Sequence, residues 1–228
     1  MAESRGGALY VVATPIGNLE DISARALRIL SEVDLIAAED TRTTRKLLTR
    51  HGIRVPMVSL FAGNVRRRLP ALLTDLAAGR RIALVSEAGT PVISDPGAEL
   101  VRAAAAAGHA VSPIPGPTAI AALLSVAGLS ADRFTFLGFL PRRAGQRRRL
   151  IEDIAGHPWP IVLYESPHRL LATLEALRDA LGDRETVIGR EMTKLHEEIF
   201  RGTLSQAAER FQRPRGEFTI VVAGAGNG

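Results

Sequence analysis

A chain of 228 residues, 46% of them hydrophobic, can bury one large core or two smaller ones, and 23% charged residues is not the composition of a disordered chain. The absence of cysteine excludes disulfides, thiolate metal sites and a cysteine nucleophile. A net charge of +5 favours phosphate-bearing or acidic partners, but the basic residues are almost all arginine, with Lys46 and Lys194 the only lysines, so arginine counts weigh little and Lys194 stands out.

The polar opening MAESRGG carries no signal-peptide hydrophobic region, and no run of about 18 apolar residues is present to span a membrane. The expectation is a cytoplasmic protein with no membrane contact. In chain order, residues 9–12 read as a buried strand, and Asp21 as the cap of a helix with Ile22, Ala26, Leu27 and Leu30 on one face. A strand at 35–38, a helix at 41–51, a strand at 57–60 and a helix at 64–78 follow, the last kinked or delayed by Pro70. After a strand at 82–85, Asp95 and Pro96 look like an N-cap and first helical residue, for a helix that stops at Gly108. Residues 113–117, Pro-Ile-Pro-Gly-Pro, break the alternation and mark a domain boundary, giving domains 1–114 and 115–228. Beyond it come a helix from Pro117, a strand at 134–139, an arginine-rich helix near Gly145, a strand at 161–164 and a helix at 167–181. Strands at 186–190, 197–200 and 218–222, with a helix at 204–211, suit hairpin pairing. The expected fold is therefore two α/β domains, the first sheet mainly parallel and the second mixed.

Common nucleotide and hydrolase signatures are missing. The glycine-rich stretch 224–228 has no helix after it, no P-loop or HExxH occurs, and the five histidines lack metal-ligand spacing. No metal is expected. Instead, strand ends run into loops of small residues, at 13–18, 39–42, 86–97 and 115–119. In open α/β folds ligands bind at the carboxyl ends of strands, and glycine and proline there bring rigid backbone close to a ligand. Taken singly, such loops are also ordinary turns and caps.

Several of these segments, in order, resemble the tetrapyrrole methylase superfamily. They are Val12-Ala13-Thr14-Pro15-Ile16-Gly17-Asn18-Leu19, Ala38-Glu39-Asp40-Thr41-Arg42, Ser86-Glu87-Ala88-Gly89-Thr90-Pro91 with Ser94-Asp95-Pro96-Gly97, and Pro115-Gly116-Pro117-Thr118-Ala119. The second half adds Gly138-Phe139-Leu140-Pro141-Arg142, Tyr164-Glu165-Ser166-Pro167-His168-Arg169 and Arg190-Glu191-Met192-Thr193-Lys194. The match covers nearly the whole chain. It is nearest the branch that methylates a cytidine ribose 2′-hydroxyl in small-subunit ribosomal RNA.

The resemblance implies two α/β domains with S-adenosylmethionine in the cleft between them, S-adenosylhomocysteine as product, a homodimer, and ribosomal RNA as partner, either free or in the assembled 30S subunit. Carried over by position, cofactor contacts fall on Thr14, Pro15, Ser86, Glu87, Ala88, Gly89, Thr90, Ile93, Thr118, Ala119, Leu163 and Tyr164. Thr90 stands where corrin-making members carry an acidic residue in Gly-Asp-Pro, which argues against the alternative of a corrin or siroheme-type substrate. Many members also continue past residue 222 with a small helical extension that helps hold substrate.

Methyl transfer needs hydroxyl oxygen, methyl carbon and sulfur held in line, and a ribose hydroxyl gains from a nearby base or cation. Asp40 can accept a proton or orient a hydroxyl; it can equally cap the helix that follows. Lys194 can stabilise an alkoxide or be a solvated strand-end charge, and Glu165 can hold a ribose or base edge. For RNA the candidates are Arg42, Arg142, Arg143, Arg147, Arg148 and Arg149, with Arg66, Arg67 and Arg68 elsewhere, since guanidinium groups pair with phosphates. At 4% aromatic residues, base stacking is expected to be a minor theme.

Overall fold

In the computed structural model, which describes residues 7–226, the first half of the chain rests on strands whose side chains alternate between two cores. The opening residues 1–6 and the last two residues of the glycine-rich end lie outside the described residues. The elements are β1 (Ala8–Val12), a 3-10 turn (Leu19–Asp21), α1 (Ala24–Glu32), β2 (Leu35–Ala38), α2 (Thr41–Arg50), β3 (Met57–Ser59), α3 (Val65–Ala77), β4 (Arg81–Val85), α4 (Ala98–Ala106) and β5 (Ala110–Ile114). The five strands pair in the order β3-β2-β4-β1-β5, all parallel. Leu9, Leu35, Ala37, Ile82 and Leu84 face one way and pack under α3 and α4. Val12, Ile36, Ala38, Ala83 and Val85 face the other and pack under α1 and α2. The period-two alternation of a strand thus serves two helical layers at once.

The second half contains α5 (Ala119–Ala127), β6 (Thr135–Phe139), α6 (Ala144–Asp153), β7 (Ile161–Glu165), α7 (Leu170–Leu181), β8 (Glu185–Arg190), β9 (Glu198–Thr203), α8 (Leu204–Arg210) and β10 (Phe218–Val222). Its sheet, β6-β7-β10-β8-β9, is mixed: β6 and β7 run parallel and the other pairs antiparallel. Leu170, Leu174, Leu177 and Leu181 form a stripe on α7 that meets Leu163, Ile188, Ile220 and Val222 in one core, with α6 and α8 alongside. On the opposite face α5 packs against β8 and β10. Contacts divide the chain into two compact units, one ending at Thr118 and the other beginning at Ala119. No helix among the described residues is long and apolar enough to cross a membrane.

Several local expectations are corrected. The first helix is capped by Ser23, whose hydroxyl accepts from the Ala26 amide at 3.1 Å; Asp21 belongs to the 3-10 turn before it. Pro70 lies inside α3. Pro113 and Ile114, expected to belong to a break at 113–117, instead complete a strand, β5, over Ala110–Ile114. Pro113 is tolerated because β5 is an edge strand, where an N–H can be missing without breaking the ladder.

Asp95 and Pro96 do not open α4. The helix starts at Ala98 behind Gly97, which adopts φ 126°. A Cβ at Gly97 would stand 2.7 Å from Leu84 Cδ2 in the core. Gly97→Ala is therefore expected to cost about 1–3 kcal/mol of unfolding free energy, from backbone strain and the clash together, measured by denaturant unfolding. An unchanged midpoint would contradict this account of the turn.

Candidate active site

Four loops leave the carboxyl edge of the first sheet, and hydrogen bonds stitch them together. Ala13 donates to Ile114 O, joining the end of β1 to the end of β5. Thr14 and Gly89 exchange two backbone hydrogen bonds, at 2.9 and 3.0 Å, an isolated antiparallel bridge from the β1 loop to the β4 loop. The Glu87 amide donates to Glu39 Oε2 at 3.2 Å, and Thr90 Oγ1 donates to Pro117 O at 3.2 Å, so the β2 and β5 loops are tied in as well. Small residues make this possible. A Cβ on Gly116 would lie 3.0 Å from Ala13 Cβ, and Gly89 sits at φ 76° against Ile16.

The β4 loop is strained. Val92 (φ 77°) and Ser94 (φ 67°) occupy the left-handed region that costs non-glycine residues, a β-branched one most of all. Each costs on the order of 1–3 kcal/mol, a reservoir found where a loop must hold a particular shape for function. Val92 is held by packing on the first core, while Ile93 between them is 41% exposed.

Of the positions expected to touch a cofactor, several are occupied with holding the loops. The Ser86 hydroxyl donates to Ala88 O at 3.2 Å, and the Thr90 hydroxyl is taken by Pro117. Thr14 differs. It is buried, and its Oγ1 has no hydrogen-bond partner among the described residues. A buried hydroxyl left unpaired is costly, which makes this one a candidate contact for a ligand. Pro15, Ala88 and Gly89 share that edge, and Thr118 precedes α5 with Ala119 as its first residue. In the second unit Leu163 lies in the core and Tyr164 on the other face of β7.

Three carboxylates also gather on this edge of a basic chain. Burial pushes the Asp95 carboxyl up to about 6, the charges of Glu39 and Glu87 add to the rise, and a hydrogen bond with Ser86 opposes it. In the sequence Asp95 reads as a helix cap; the signal for the cluster is that Glu39 and Glu87 come just after strand ends and Asp95 lies on the same loop as Glu87. Asp40 does cap its helix, accepting from the amides of Arg42 and Thr43, and it pairs with the Arg42 guanidinium at 3.1 Å. The hydrogen bond from Arg42 holds this carboxyl below its ordinary range, which makes Asp40 a poor proton acceptor and leaves Arg42 already paired.

In the second unit, Lys194 follows a turn with Glu191 at φ 49° and Thr193 at φ 65°. Its ammonium bridges Glu191 at 3.0 Å and Glu217 at 2.8 Å. Burial opposes its charge, but the hydrogen bonds it donates to Glu217 and Glu191 outweigh burial and raise its pKa. An ammonium so engaged is a fastener for the loop before it is a catalyst.

Glu165 is buried, accepting from Thr173 Oγ1 and the Ser166 amide at 2.7 Å each, with Arg169 at 3.5 Å. With its oxygens engaged and no exposure, it cannot hold a ribose or base edge as expected. Arg169 in turn donates to Leu140 O at 2.6 Å and to Pro141 O. Arg142, Arg143, Arg148 and Arg149 are exposed around the start of α6, with Arg148 paired to Glu152; Arg147 is half-buried. Among the described residues no group of three or more His, Cys, Asp or Glu is arranged to hold a metal.

Residues 8–208 match the family described as Tetrapyrrole (Corrin/Porphyrin) Methylases. The chain belongs to this family. Among its relatives are proteins named ribosomal RNA small subunit methyltransferase I. The one from Synechocystis is 52% identical, over 96% of this chain and 80% of that protein. The one from Thermotoga maritima is 48% identical, over 96% and 99%. Solved structures of the family agree in fold. The methyltransferase CobJ superposes with a TM-score of 0.74 at 20% identity, covering 96% of this chain and 95% of its own. Uroporphyrin-III C-methyltransferase from Thermus thermophilus, complexed with S-adenosylhomocysteine, superposes with 0.69 at 21%, covering 96% and 98%. At such identities these superpositions speak to the fold alone.

The raised Asp95 pKa gives a signed prediction. A carboxyl whose folded pKa lies above its unfolded value near 3.8 contributes stability below that value and loses it as pH rises through about 6. Asp95→Asn removes the ionisation, so its melting temperature should exceed the parent's at pH 7.5, with the difference closing by pH 4. A difference that does not change with pH in thermal melts would remove burial as the cause.

Proposed function

We propose that this protein transfers a methyl group from S-adenosylmethionine to a ribose 2′-hydroxyl of a cytidine in small-subunit ribosomal RNA. The observation that carries the reading is near-full-length identity of 45–52% to proteins named for the small-subunit RNA reaction. Tetrapyrrole methyltransferases share the fold at only about a fifth identity. With this reading go small-subunit RNA as partner, free or in the 30S particle, a homodimer, and a cytoplasmic place of action.

The residues present fit the cofactor. Thr14 offers an unpaired buried hydroxyl, the Ser86–Gly89 turn offers backbone at close approach, and Glu39, Glu87 and Asp95 give a negative field suited to a sulfonium and an ammonium. In the first unit Thr14, Pro15, residues 86–90, Ile93 and Thr118 are assigned to hold it. In the second, Ala119, Leu163 and Tyr164 are so assigned. When bound, it supplies a methyl group activated by the adjoining positive sulfur. The chain's own task is alignment: the bridged loops keep ligand groups fixed, which is where much of the rate of an in-line displacement comes from.

Of the carboxylates on this edge, Asp95 has its pKa raised to about 6 by burial, whereas Asp40, held ionised by Arg42, serves to anchor α2. Arg142, Arg143, Arg147, Arg148 and Arg149 are assigned to RNA phosphates, with Arg42 as a further contact.

The test is incubation with tritiated S-adenosylmethionine and small subunits lacking native ribose methylation, followed by mapping of the label. Label at one ribose is expected. Thr14→Val, which keeps the shape and removes the hydroxyl, should weaken cofactor binding by roughly two- to tenfold in calorimetry without loss of fold. Cofactor binding with no RNA label, and label on a tetrapyrrole instead, would sink the RNA assignment.

A further inference from the structure

In the second unit, Phe139 at the end of β6 has no part in the assignments above, although it touches Tyr164 and precedes the arginines that do. β6 reads Thr-Phe-Leu-Gly-Phe, and in a regular strand Leu137 and Phe139 would share a face. Leu137 does pack on the core beside Leu163. Phe139 does not. Between Phe136 and Phe139 the pairing with β7 slips, three residues of β6 spanning the two from Val162 to Tyr164. Gly138 takes up the extra residue at φ 61°. This is a β-bulge, a device that re-aims a side chain. It turns Phe139 onto the face of Phe136 and Tyr164, where the rings of Phe139 and Tyr164 lie 5.7 Å apart and those of Phe136 and Tyr164 5.1 Å apart.

Phe139 remains 53% exposed, although burying it against the core required only an unbulged strand. The chain that follows it is cationic. Leu140 and Pro141 lead at once into exposed Arg142 and Arg143, then into α6 with Arg147, Arg148 and Arg149. The backbone between ring and arginines is pinned. Arg169 grips Leu140 O and Pro141 O, and buried Glu165 lies beside Arg169, itself held by Thr173 and Ser166. A phenyl ring presented on a backed, immobilised platform beside guanidinium groups is the arrangement that binds unpaired bases with their flanking phosphates. Charge complementarity thus points to a polyanion with flat, unstacked faces.

Building on the RNA reading above, we propose that Phe139, backed by Tyr164, is a stacking platform for an unpaired RNA base, with Arg142 and Arg143 taking the adjoining phosphates. The bulge at Gly138 exists to present it. Recognition therefore requires a single-stranded or extruded nucleotide and not an intact duplex.

The experiment compares Phe139→Ala and Phe139→Trp in the full chain, using tritiated S-adenosylmethionine and unmethylated small subunits. Phe139→Ala should raise KM for the subunit on the order of tenfold, as loss of one stacked base does, while cofactor affinity by calorimetry stays unchanged. Phe139→Trp should restore KM, since any flat ring can serve. An unchanged KM in Phe139→Ala overturns the proposal. So does an equal loss of cofactor affinity, which makes the ring part of the cofactor site, or a changed sedimentation coefficient, which makes it a self-association face. Should the parent protein label no RNA at all, the functional reading fails separately. The platform is then judged by quenching of the added tryptophan in Phe139→Trp, relative to the parent's Trp159 signal, on addition of a single-stranded RNA at low salt. Quenching supports stacking, and its absence overturns it.

Discussion

The bridge between Thr14 and Gly89 is the contact on which the rest of the first unit's working edge depends. Two backbone hydrogen bonds, each contributing about 1 kcal/mol net, draw the β1 loop and the β4 loop together across strands that are already neighbours in the sheet. Once Gly89 is fixed there, the chain must travel from Gly89 to α4 along a path that forces Val92 and Ser94 into left-handed backbone. That strain would relax if the loop were free. It persists because Val92 is packed on the core, Thr90 is tied to Pro117 and Glu87 to Glu39, so the surroundings over-determine the loop. The same stitching leaves the Thr14 hydroxyl buried without a partner among the described residues and crowds Asp95 among carboxylates. Both are poor choices for an edge that only had to fold, and reasonable ones for an edge that receives a cationic ligand.

The second unit solves a similar problem by different means. A buried carboxylate, Glu165, is satisfied by Thr173, Ser166 and Arg169, and Arg169 passes the constraint on to the carbonyls at the end of β6. Removing one partner from such a group is costly, so the whole assembly stands or falls together. Lys194, clasped by Glu191 and Glu217, fixes the turn after β8 in the same way. Polar residues that read as catalytic candidates in isolation here hold loops in place. The proposed contacts to cofactor and substrate fall instead on backbone, the Thr14 hydroxyl, a ring and arginines.

The sheets themselves were legible. Runs such as Leu-Ile-Ala-Ala at β2 and Ile-Val-Leu-Tyr-Glu at β7, separated by helices with an apolar stripe, call for α/β layers on hydrophobic grounds alone. The mixed pairing of the last third followed from its closely spaced strands. Caps were less legible. Asp21, Ser23 and Asp95 are all good capping residues, and only the path of the backbone selects Ser23 and passes over the other two. Pro113 misled for a related reason: whether a proline breaks a strand depends on whether that strand is at an edge.

The sequence by itself determined the chemistry available: two layers of α/β structure, strand-end loops small enough for close approach, no cysteine, and arginines where phosphates could be met. Those are properties of composition and period, and they survive any arrangement of the loops. Tertiary structure alone decided which polar groups are spent and which are free. Thr14 and Thr90 are the same residue type on neighbouring loops, yet the Thr90 hydroxyl is bonded to Pro117 and the Thr14 hydroxyl has no partner among the described residues. Phe136 and Phe139 share one strand, yet a single left-handed glycine sets how the second is displayed. Hydrogen-bond satisfaction and register depend on partners distant in the chain, and a linear reading contains no distances.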